Sequence, residues 1–148
     1  MQNRVYGDAD PVFGFNVLNG ALVGTPGGAL SGAPARAPGE DVGRYAITQG
    51  TLGNPNYAIS FVPGSLDIAP RALTLTAGAA AKTYGDTDPS LPFAVTVGAL
   101  VALPGGALSG APARAPGEGV GRYDINLGSL ANPNYTLSFV PGSFDIVP

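Results

Sequence analysis

"RYDINLGSLANPNYTLSFVPGSFDI", at Arg122–Ile146, contains three short alternating segments separated by turn residues. In "RYDINL", Tyr123, Ile125 and Leu127 fall on one face, with Arg122, Asp124 and Asn126 on the other. In "YTLSF", Tyr135, Leu137 and Phe139 share a face. Successive side chains of a strand point to opposite sides, so this period of two predicts strands with one side buried and one side wet. "ANPN" and "PGS" supply the residues that turn the chain between them.

The same reading upstream predicts strands over Ala72–Ala77, Ala81–Tyr84, Pro92–Leu100 and Leu108–Arg114, and downstream over Ser143–Ile146. "PGG" and "APGEGVG" are further turns. No apolar period of 3.6 lasts three turns, and proline interrupts every candidate helix. The expectation is an all-β chain built of small domains, each an Ig-like sandwich or β-grasp-like. Strand order stays open, because alternation does not report which strands are neighbours.

Shifting the sequence by 78 positions aligns Arg4 with Lys82, Tyr6 with Tyr84 and Pro70 with Pro148 without a gap. Of the 70 pairs so formed, 46 are identical, including an unbroken "PGGALSGAPARAPGE" at 26–40 and 104–118. A fixed long period of this identity marks tandem duplication. The domains are therefore read as 1–70 and 71–148. The second opens with "RALTLTAGAA" at 71–80, whereas only Met1–Asn3 precede Arg4. Repeat 1 is thus expected to lack an opening strand and to carry an unpaired edge. "FVPGSLDIAPRALTLTA" joins the repeats with no Gly/Ser linker, and Pro70 restricts the joint. An end-to-end, semi-rigid arrangement is expected. With no signal peptide visible at Met1, the chain reads as an internal stretch of something longer.

Composition excludes several classes of function. The chain is 45% hydrophobic and 11% charged, with 23 glycines and 15 prolines among 148 residues. Ordered alternation and a positive mean hydropathy set it apart from disordered chains, which are hydrophilic and charged. Its net charge is −3 and its seven basic residues are scattered, so there is no footprint for nucleic acid. No apolar run approaches the roughly 20 residues that span a bilayer. Without Cys or His there are no disulfides, Cys/His zinc sites or His-dependent catalysis. The lack of Cys suits a bacterial protein exported unfolded.

The densest polar motif is "YGDADP" at Tyr6–Pro11, repeated as "YGDTDP" at Tyr84–Pro89. Asp8 with Asp10, and Asp86 with Asp88, are candidate calcium ligands. Calcium takes six to eight oxygens, and each motif offers two acidic side chains with no third acid in its loop, which favours a turn. Gly85 would provide the positive φ. Glu40 and Glu118, the only glutamates, lie in Pro/Gly turns and are read as solvated. Arg36 and Arg114, four residues before them, are read as loop salt bridges or solvated charges. "PGSLD" and "PGSFD" are not nucleophile elbows, and "GGALSG" has no P-loop lysine. Tyr6, Tyr45, Tyr57, Tyr84, Tyr123 and Tyr135 are read as β-core in preference to sugar-stacking platforms. No catalytic residue and no cofactor-binding residue is assigned.

Taken in order, the alternating strand, "KTYGDTDP", "LSGAPARAPGE", "VGRYDI" and "NYTLSFVPGSFDI" resemble the MBG domain of the YGX type. The resemblance covers essentially the whole chain. It implies a module repeated in tandem in large bacterial surface and secreted proteins, notably filamentous-haemagglutinin-like adhesins and autotransporters. It carries over no catalytic residues and implies a stalk or adhesive repeat at the cell surface or outside the cell. The expected function is therefore structural spacing in an adhesin or extracellular fibre. The expected partners are neighbouring repeats, with self-association into filaments by strand exchange. A glycan or host surface protein as ligand, and a calcium-stiffened rod, are the alternatives.

Overall fold

The computed structural model describes every residue from Met1 to Pro148, as all-β structure without a helix. The chain separates into two compact units, Met1–Ala69 and Pro70–Pro148.

Unit 1 contains β1 (Gln2–Val5), β2 (Ala35–Arg36), β3 (Gly43–Thr48) and β4 (Gly64–Ala69), in a single sheet ordered β1-β4-β3-β2. β3 and β4 run antiparallel, whereas β1 lies parallel to β4. Alternation explains which face is buried: Leu66 and Ile68 of β4 and Ile47 of β3 are buried with Leu52. Burying such side chains contributes roughly 1.5–3 kcal/mol each.

Unit 2 begins with β5 (Arg71–Ala77), followed by β6 (Ala80–Thr83), β7 (Phe93–Val97), β8 (Ala113–Arg114), β9 (Gly121–Asn126), β10 (Tyr135–Val140) and β11 (Gly142–Val147). β6-β11-β9-β8 repeats the sheet of unit 1, again with its outer pair, β6 and β11, parallel. Ile125, Phe144 and Ile146 form its core, against Ala77, Ala80, Leu91, Tyr123 and Phe139. A second sheet, β10-β5-β7, has β5 at its centre, parallel to β10 and antiparallel to β7. Leu73 and Leu75 of β5 are buried.

The strand predicted over Leu108–Arg114 is cut to Ala113–Arg114, with one isolated bridge between Ser109 and Ala131. Gly110 interrupts it. Its φ is +80°, and a Cβ there would lie 2.1 Å from the carbonyl oxygen of Ser129. The backbone turns at that point and presses on its neighbour, so no ladder continues through it. Gly32 repeats this in unit 1 at φ +79°, with Thr51 in the place of Ser129.

Candidate functional site

Each Tyr-Gly-Asp motif starts as a tight turn. The Asp8 N–H donates to the Val5 carbonyl at 3.0 Å, and the Asp86 N–H donates to that of Thr83 at 3.0 Å. Gly7 and Gly85 occupy the third turn position with φ of 89° and 93°. A positive φ at that position is the type II signature and favours glycine, as expected from the sequence. The turn then carries the second aspartate back toward the sheet.

That second aspartate is one corner of a four-charge ring. In unit 1, Asp10 accepts from Arg4 Nε at 2.7 Å through Oδ1 and from Arg36 Nε at 2.5 Å through Oδ2. Glu40 closes the ring, accepting from Arg36 Nη2 at 2.6 Å and from Arg4 Nη2. In unit 2 the Lys82 ammonium lies 2.7 Å from Asp88 Oδ1 and 2.6 Å from Glu118 Oε2. Arg114 completes that ring, Nε to Asp88 at 2.6 Å and Nη2 to Glu118 at 2.9 Å. Lysine can replace arginine at this corner because the rotatable ammonium reaches both carboxylates as a point charge.

The two loop arginines are more deeply engaged than solvated charges. Arg36 Nη1 donates to the carbonyls of Ala37 and Gly39, and Arg114 Nη1 to those of Ala115 and Gly117. Their guanidiniums stack 5.3 Å from the ring centres of Tyr45 and Tyr123. A planar fork with several donors suits this combination of bonding and stacking. The reading of these arginines as loop salt bridges holds for their pairing with Glu40 and Glu118. The other two corners, Arg4 with Asp10 and Lys82 with Asp88, are local pairs, and the ring joins them to the loop across 26 residues from Asp10 to Arg36 and Asp88 to Arg114, and across 36 from Arg4 to Glu40 and Lys82 to Glu118.

These contacts stabilise the ionised carboxylates. Hydrogen bonds from Arg114 and then Lys82 pull Asp88 down from 3.8 to about 2. For Asp10, burial opposes ionisation, but hydrogen bonds from Arg36 and Arg4 outweigh it and hold the carboxyl below its ordinary value. Glu118 is lowered chiefly by Lys82, and Lys82 is raised chiefly by Asp88. The structure thus divides the predicted calcium pairs. The backbone of Asp8 and Asp86 closes the turn, while the side chains of Asp10 and Asp88 face two cations each. No group of three or more Asp, Glu, His or Cys residues comes together as a ligand set.

The tyrosines have distinct roles. Tyr135 Oη donates to the Gly106 carbonyl at 2.6 Å and accepts from the Val101 N–H at 2.8 Å. Tyr57 does the same with Gly28 and Val23. Asn132 Nδ2 adds bonds to the carbonyls of Gly105 and Ala107, both at 2.7 Å, as Asn54 does to Gly27 and Ala29. The apolar "PGGAL" loops are therefore clamped by the "NPNY" segments. Tyr45 and Tyr123 donate to the carbonyls of Asp41 and Gly119. Tyr84 departs from the core expectation: it is 62% exposed, whereas Tyr6 is fully buried, although both backbone N–H groups make the same bond, to Val147 and Ala69. The shared backbone geometry does not dictate where the ring goes.

The open depression beside the unit 2 ring, about 490 Å³, is lined by Asp88, Ser90, Leu91, Phe93 and Arg114 among others. Its one serine has no histidine base to activate it, since the chain has none.

Sequence reasoning did not identify Arg4, Lys82, Asn54 or Asn132 as organising residues. A signal was available: at the 78-residue offset, Arg4/Lys82, Asp10/Asp88, Arg36/Arg114 and Glu40/Glu118 all keep their charge sign. The family model described as MBG domain (YGX type) matches the chain twice, over residues 1–67 and 73–145. No curated protein and no solved structure matches it.

Proposed function

The chain belongs to the MBG domain family of the YGX type, and on that premise we propose that it forms structural spacer repeats of a bacterial cell-surface or secreted adhesin, or of an extracellular fibre. MBG repeats are non-catalytic structural modules, typically found in extracellular or cell-surface proteins. The observation that carries the reading is the four-charge ring. In both units the motif's carboxylates and the flanking cations are used to tie a turn, a loop and a strand together. The most polar part of each repeat supports the fold itself. Repetition of such units gives reach, with neighbouring repeats as partners and strand exchange as the route to assembly.

The test pairs force spectroscopy with a binding screen on the 148-residue chain. Spacer repeats should give two separate unfolding events and no saturable binding to a glycan array or host-protein panel. Saturable glycan binding abolished by Tyr84→Ala would replace the spacer with an adhesive module. The exposed Tyr84 ring is the observation that favours that second reading.

A further inference from the structure

Asp10 and Asp88 share a second property besides their place in the charge rings. Each precedes a proline, Pro11 and Pro89, and no other aspartate in the chain does. An Asp–Pro peptide bond carries its own nucleophile. A side-chain oxygen can reach the carbonyl carbon of the same residue. The proline nitrogen belongs to a tertiary amide, and once protonated it leaves more readily than an ordinary amide nitrogen. The ring holds the nucleophile away from that carbon. Asp88 Oδ1 lies 2.7 Å from Lys82 Nζ and accepts from Arg114 Nη2 at 3.2 Å, while Oδ2 accepts from Arg114 Nε at 2.6 Å. Both oxygens of Asp10 are taken in the same way, by Arg4 Nε and Arg36 Nε. Charge-assisted bonds to two cations fix the direction of each carboxylate and occupy its lone pairs. Nothing else shields the unit 2 bond: Asp88 and Pro89 lie outside every strand, are exposed, and border the open depression of unit 2, so water reaches them.

We propose that Asp10–Pro11 and Asp88–Pro89 are self-cleavage sites, each held shut by its charge ring. When the ring is opened by local unfolding or by tension, a freed oxygen of Asp88 attacks the carbonyl carbon of Asp88 and forms the C–O bond of a cyclic anhydride. The C–N bond to Pro89 breaks, and the proline nitrogen leaves as a secondary amine with a proton taken from solvent. Water then opens the anhydride. One product ends in the Asp88 carboxylic acid and the other begins at Pro89. The net change is hydrolysis of the peptide bond, with no oxidant, reductant or cofactor. Asp10 and Pro11 react in the same way. The unit 2 cut falls between β6 and β7. The β6–β11, β5–β10 and β5–β7 ladders all cross it, so the products stay joined without a covalent link until the unit is pulled apart or unfolds. Within a spacer this is a release point in each repeat; the cleavage chemistry itself does not depend on that reading.

The full chain holds two such bonds and so carries its own control. The unaltered chain, the same chain in urea, and the variants Arg114→Gln and Arg36→Gln are incubated at about pH 4, near the ordinary aspartate pKa, and the fragments are identified by mass. Arg114→Gln should cleave Asp88–Pro89 at least about tenfold faster than the folded unaltered chain, the scale expected for losing a charged hydrogen bond, with Asp10–Pro11 unchanged. Arg36→Gln should reverse that preference. Lys82→Met keeps the apolar stem and removes a single cation from Asp88, so it should show the same preference for Asp88–Pro89 even where Arg114→Gln disturbs the unit; amide exchange identifies the variants that stay folded. In urea both bonds should cleave faster than in the folded chain. Asp88→Ala added to Arg114→Gln should abolish the cut at Asp88. Equal rates at the two bonds in the folded ring variants, a folded chain that cleaves as fast as the chain in urea, or a cut that survives Asp88→Ala would each overturn the proposal. None of these outcomes would disturb the spacer reading, which stands or falls on the binding screen.

Discussion

Tyr57–Val62 and Tyr135–Val140 differ at two of six positions, Ala58/Thr136 and Ile59/Leu137, yet the second is a strand and the first is not. The four-stranded sheets beside them are the same in order and direction. A strand is therefore not a property of its own residues. Alternation makes a segment fit to pair, but the ladder forms only where a partner backbone is present to complete it. Unit 2 carries that partner as β5, with Leu73 and Leu75 as its anchors.

The largest expected effect breaks this contrast outright. Leu75→Ala should cost about 2–5 kcal/mol, the range for a buried leucine. It should also bring residues 93–97 and 135–140 toward the fast amide exchange expected of 15–19 and 57–62. Denaturant unfolding combined with exchange measures both. Slow exchange retained at 135–140 would show that β5 does not hold this sheet together.

Gly110→Ala and Gly32→Ala probe what the units share. Each places a side chain at positive φ and against a neighbouring carbonyl, so each should cost at least about 1–3 kcal/mol, in unit 2 and unit 1 respectively. Unequal losses would show that the two bends are not equivalent. Tyr135→Phe should cost about 1 kcal/mol by removing the hydroxyl that holds Val101 and Gly106. Its equivalent, Tyr57→Phe, should cost less, because that ring sits in a segment without a ladder; thermal melts of the two variants provide the comparison.

Acid should sharpen the contrast further. The carboxyls of Asp88 and Asp10 have lowered pKa values in the folded chain, so their contribution is fully present above their unfolded value near 3.8. For Asp88 it is lost as pH falls through about 2. Stability measured from pH 5 to 2 should therefore decline, and Asp88→Asn should flatten the part of the decline that belongs to unit 2. The smallest expected effect is that of calcium. With both second aspartates facing cations, adding calcium or a chelator should leave the melting temperature unchanged. A calcium-dependent rise would restore the stiffened-rod reading.

Much of this fold was legible in the order of residues. Alternation around Ile125, Phe144 and Ile146 marked the strands and their buried sides, and the 78-residue offset marked the two domains. Gly7 and Gly85 announced their turns. The parallel pairs β1–β4 and β6–β11 were not legible, because their partners lie about 60 residues apart and alternation does not encode which strand sits alongside. The charge rings were hidden for a related reason. Asp10 and Arg36 are 26 residues apart, and only the closing of the sheet brings them together.

By itself, then, the sequence determined the strand-forming segments, the turns and the duplication, since these follow from local sterics and side-chain alternation. Tertiary structure alone decided which carboxylate meets which cation, and that Tyr6 is buried while Tyr84 is exposed. Each of these depends on groups distant in the chain, and their proximity exists only after folding.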